Sequence, residues 1–102
     1  MRSLILASLA LMLAACGGGR EGRAAKACED AIKQRMTDRS YSLDLGDMTA
    51  KAKAEGEDVI HVQSEITFDP GLPRELKQVF DCKARFVAGK EMPDVISLTF
   101  TW

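Results

Sequence analysis

Four side chains concentrate the reactive chemistry of this sequence: Cys16, Cys28, Cys82 and a lone histidine, His61. Cysteines can cross-link, bind metal or act as nucleophiles, and a histidine can serve as general base or ligand. A structural zinc site needs four ligands at characteristic spacing, which Cys28, Cys82 and one histidine do not supply. A redox pair normally sits close together as C-x-x-C, and none is present. Neither G-x-S-x-G nor H-E-x-x-H occurs. His61 falls among Gln63 and Glu65 on the polar side of an alternating stretch. Glu65 is ~13 Å away along a strand, too far to orient it. The expectation is a solvent-facing histidine, no catalytic residue, no metal site and no cofactor. Glu55, Glu57 and Asp58 lack the alternating ligand spacing of a calcium loop and read as a solvated turn. Gly17-Gly18-Gly19 follows no strand and precedes no Lys-Ser/Thr, so it is not a phosphate loop.

The position of Cys16 separates it from the other two cysteines. Arg2 is followed by the uncharged run Leu4 to Leu13, too short to span a bilayer, which needs about 20 apolar residues. A charged start, a short apolar run and then small residues form a secretory signal. Leu13-Ala14-Ala15-Cys16 resembles the lipobox of bacterial lipoproteins. The resemblance implies cleavage before Cys16 and lipidation of that cysteine, with residues 1–15 as signal peptide. Several acyl chains on one residue provide the multiple attachments that stable anchoring requires. In Gram-negative lipoproteins an aspartate after the lipidated cysteine retains the protein in the inner membrane. Gly17 therefore implies a protein anchored in the outer membrane and facing the periplasm.

Cleavage there leaves 87 of the 102 residues, one small domain. Losing Arg2 leaves 13 basic residues against 15 acidic ones, so nothing attracts nucleic acid. Residues 16–22, from the acylated cysteine through Gly22, read as a flexible tether, and residues 23–102 as the domain. Arg23 to Asp38 has no Pro or Gly and is rich in helix formers. Its apolar positions Ala24, Ala25, Cys28, Ala31, Ile32 and Met36 recur at helical spacing. Tyr41, Leu43 and Leu45 alternate with polar residues, and the phase shifts after Gly46, as at a bulged strand. A short helix through the Ala- and Lys-rich tail before Ala54 is the alternative. Val59 to Phe68 alternates cleanly, with His61, Gln63, Glu65 and Thr67 on the polar side. Asp69-Pro70-Gly71 favours a type II turn. Lys77 to Val87 is a strand with Phe80, Cys82, Ala84 and Phe86 inward. Val95 to Trp102 is a final strand with Ile96, Leu98, Phe100 and Trp102 on one face. Trp102, at the chain end, is expected to be partly exposed.

One helix can cover one face of such a sheet, and short connections join antiparallel neighbours. The expected fold class is α+β: one N-terminal helix packed on a three- or four-stranded antiparallel sheet. Cys28 and Cys82 then face the core from different elements. An exported chain most simply pairs them, with two buried free thiols as the alternative. Closing a loop of roughly 55 residues is worth ~4 kcal/mol in the chain-entropy description.

The "ACEDAIKQRM" helix and the "FDCKARF" strand resemble small exported bacterial domains joined by one helix–strand disulfide. That resemblance implies the fold and the bond, and no particular activity. The expected function is a non-enzymatic binding module of the cell envelope, held to the membrane through Cys16 and contacting an envelope protein. No small-molecule substrate is indicated. The alternative is a small inhibitor of an envelope-directed hydrolase such as a lysozyme, acting through the loop Asp69 to Glu75.

Overall fold

The computed structural model describes residues 19–101. The signal, the lipobox, Cys16 and Trp102 lie outside them. Helix α1, Gly19–Arg35, packs on an antiparallel sheet of five strands. Its buried face is Ala24, Ala25, Ala27, Cys28 and Ile32; all but Ile32 are small and let the helix lie close to the sheet. Glu21 in the first turn and Lys33 and Arg35 in the last complement the helix dipole. The helix starts four residues before Arg23, so Gly19 to Gly22 are helical rather than part of a flexible tether. Tertiary contacts override the weak propensity of Gly19 and Gly22. Arg20 donates to the Glu57 carbonyl at 2.7 Å, and its guanidinium stacks 4.7 Å from the centre of the Phe86 ring.

The segment after α1 forms strand β1, Tyr41–Leu43, helix α2, Leu45–Ala50, and strand β2, Lys53–Glu55. The bulged strand expected here is replaced by a helix, one that begins earlier than the Ala- and Lys-rich tail. Asp44 is the reason: its carboxylate accepts the Asp47 N–H at 3.0 Å, capping the helix. Met48 then points into the core, fully buried, while Leu45 is left partly exposed.

Strand β3, Val59–Phe68, is the spine of the sheet, and strand β4, Leu76–Arg85, pairs along its whole length. β1 and β2 both pair with the other side of β3, at opposite ends. Five strands therefore make four columns, with the first column broken in two by α2. Strand β5, Asp94–Thr101, pairs with β4. The register skips Ile96 between the pairs Lys83↔Ser97 and Ala84↔Val95, a bulge on β5. Ile96 was expected inward; the bulge turns it out, 47 % exposed, and Val95 packs against the core in its place. Phe68 and Phe80 are buried, and Phe86 and Phe100 pack against the core from its margin.

Cys28 and Cys82 form a disulfide across a Cα–Cα distance of 6.1 Å, both fully buried. The bond fastens the middle of α1 to the middle of β4, an added constraint on a small domain. No described helix is long and apolar enough to cross a membrane.

Candidate functional site

The loop between β3 and β4 stands at the end of the sheet next to the C-terminus of α1. It opens with the turn the sequence predicts. Leu72 N–H bonds the Asp69 carbonyl at 3.1 Å, and Gly71 takes φ +79°, the left-handed value that a type II turn demands of its third residue. Glu75 N–H bonds the Leu72 carbonyl at 3.0 Å, and the Glu75 carboxylate accepts the Gly71 N–H at 2.7 Å. The loop thus closes on its own backbone.

Asp69 fastens this loop to the rest of the domain. It is 4 % exposed and adopts φ 48°, an uncommon conformation that aspartate tolerates better than most residues. One carboxylate oxygen accepts from Arg39 Nε at 3.2 Å and forms an ion pair with Arg74 Nε at the same distance. The other accepts from the Ser40 hydroxyl at 3.2 Å, and Asp69 N–H bonds the Ser40 carbonyl at 2.9 Å. Burial pushes the Asp69 carboxyl upward, but the hydrogen bonds and positive charges of Arg39, Ser40 and Arg74 outweigh it and hold it below its ordinary 3.8. Arg39 also lies over the Phe68 ring, 4.3 Å from its centre. The segment after α1, the end of β3 and the loop are one braced unit. What it offers outward is Leu72, 46 % exposed, flanked by Pro70 and Pro73 and by the exposed Arg74.

The second cluster surrounds His61 on the face of the sheet away from α1. His61 is not simply solvent-facing. Its Nε2 lies 2.8 Å from Asp81 Oδ1 and its Nδ1 3.1 Å from Glu55 Oε2. Gln63 also donates to Asp81, and Lys83 pairs with Glu55 at 3.2 Å. Both ring nitrogens lie within ion-pair distance of carboxylates. The arrangement joins β2, β3 and β4. Glu65 takes no part, as its separation along the strand requires. The partners Asp81 and Glu55 escaped the sequence because they sit diagonally across the strand pairs, and only the register reveals them. Glu57 and Asp58 form the exposed turn expected of them, but Glu55 belongs to β2 and to this network.

Among the described residues no group of three or more His, Cys, Asp and Glu side chains is arranged to hold a metal ion. Cys28 and Cys82 are joined and structural, and Cys16 lies outside the described residues. Comparison with protein-family models, curated proteins and solved structures finds no significant match to the chain.

Proposed function

We propose that this chain is a non-enzymatic binding module of the bacterial envelope, anchored through a lipid on Cys16 in the outer membrane and facing the periplasm. The Asp69–Glu75 loop is its contact with a protein partner. The observation that carries this reading is the bracing of that loop by Asp69, with Leu72 left outward. A loop already held in one conformation loses little freedom on binding, so its apolar tip and exposed arginine are available for affinity. The polar face of the sheet is less suited: its exposed apolar side chain Val79 is surrounded by charged and hydroxyl residues.

The bracing also favours one particular use. A proline-flanked loop braced at its base is suited to occluding the cleft of a hydrolase. Inhibition of a lysozyme-type enzyme by micromolar protein supports that use, and unchanged hydrolysis removes it.

The test of binding compares Leu72→Arg with Val79→Arg in the full chain, using association with solubilised envelope proteins. The expected result is loss of association for Leu72→Arg and retention for Val79→Arg. Equal behaviour of the two variants contradicts the loop as the contact. For the anchor, Cys16→Ser abolishes lipid labelling and lipoprotein-type processing; normal labelling contradicts it.

A further inference from the structure

The outer edge of β5 is a long strand edge with no described strand beside it. Native sheets protect such edges with charges, prolines, short strands or a covering element. From Val95 to Thr101, β5 has no charged residue and no proline. We propose that β5 pairs with β5 of a second copy of this chain, antiparallel about a twofold axis at Thr99.

The register follows from one contact. Along an antiparallel strand, residues alternate between those that bond the neighbour and those whose backbone groups face away. Arg35 of α1 reaches the Leu98 carbonyl at 2.9 Å, which assigns Leu98 and Phe100 to the outward set. In a twofold pair Leu98 of each copy then exchanges hydrogen bonds with Phe100 of the other, and Arg35 yields that carbonyl. Thr99 meets Thr99, and Ser97 meets Thr101. The stretch Ser97-Leu98-Thr99-Phe100-Thr101 reads hydroxyl, apolar, hydroxyl, apolar, hydroxyl from either end, as an isologous contact requires. Apolar pairs fall on the helix side and hydroxyl pairs on the polar side, and no charges are opposed.

The helices permit this approach. α1 packs over β3, β4 and β5, centred on β4. Strands lie 4.7–4.9 Å apart, so three spacings place the two copies of α1 about 14 Å apart. Packed helices approach to 8–10 Å, so the pair does not clash. The remaining groove is lined from each copy by Ala31, Gln34, Val95 and the exposed Ile96. The pairing leaves both Asp69–Glu75 loops uncovered and does not depend on the binding role given to them.

The experiment places cysteines in the full chain and reads covalent dimer on non-reducing gels and by mass. Thr99 lies at the axis, where a non-hydrogen-bonded pair brings Cα atoms to about 4.5 Å, within disulfide reach. Thr99→Cys is expected to double the mass, and the control Thr67→Cys, on the same face but far from β5, is not. A mixture of Ser97→Cys and Thr101→Cys is expected to cross-link where neither does alone. Thr99→Lys, an exposed substitution that spares the fold, weakens association about tenfold, and mixing it with Thr99→Glu restores it. Equal dimer in Thr99→Cys and Thr67→Cys, or none in either, overturns the proposal. Capture of Thr99→Cys by a different polypeptide also overturns it, in favour of a foreign strand on this edge.

Discussion

The two edges of the sheet are built by opposite means. On one side the outer column is cut into β1 and β2, three residues each, with α2 between them. Where β3 has no strand beside it, from Val62 to Glu65, α2 covers it, and the Ser64 hydroxyl donates to Asp47 at 2.5 Å. Lys51, Lys53 and Glu55 bring charge to the same side. On the other side β5 runs eight residues, and Arg35 is the described side chain that reaches its backbone. Among the described residues the first edge is broken by a helix and the second has no strand or helix along it.

The largest perturbation touches both edges at once. Replacing Cys28 and Cys82 by serine should lower the unfolding free energy by about 4 kcal/mol, read by denaturant titration. Amide protection should fall at both edges together, because the bond holds the shared centre of α1 and β4. Met48→Ala comes next, at about 3 kcal/mol, since it empties the fully buried anchor of α2. Here exchange should accelerate along Val62 to Glu65 while β5 keeps its protection, which separates the two edges. Asp44→Ala removes the cap of α2 and should cost about 1 kcal/mol with the same local pattern.

Asp69→Asn tests the loop rather than either edge. The carboxyl of Asp69 is held below its ordinary 3.8 in the folded protein, so its contribution is fully present above that value. It is lost as pH falls through the lowered folded value. Thermal melts from pH 6 to pH 2 should therefore show a smaller acid-induced decline in Asp69→Asn than in the parent chain, with both edges otherwise unchanged. Thr99→Lys should have the least effect on stability, within about 0.5 kcal/mol, because the side chain is exposed. Its whole effect should fall on self-association.

The parts of the fold legible in the sequence were those where one face is buried and the other wet. Val59 to Phe68 alternates because α1 covers one side of β3, and Cys28 and Cys82 sit in phase with their buried faces. The type II turn at Asp69-Pro70-Gly71 was legible because Pro and Gly carry their backbone angles with them. What escaped is non-local or set by a competing local signal. The cap at Asp44 outweighed the alternation of Tyr41, Leu43 and Leu45. The bulge at Ile96 arises from pairing with β4, which β5 alone does not encode. The helical start at Gly19 rests on Arg20 reaching Glu57 and Phe86. In the candidate site, the loop was visible but its brace was not, because Asp69 meets Arg39 and Ser40 from about 30 residues away.

The central claim, an anchored module that binds through its braced loop, is tested most directly in intact cells. A photo-cross-linking residue at position 72 is compared with one at position 79, in chains that retain Cys16. The account predicts a covalent adduct with one envelope protein from position 72, none from position 79, and loss of the adduct when Arg39 and Arg74 are both replaced by alanine. Adducts from position 79 alone, or none from either position, would contradict it.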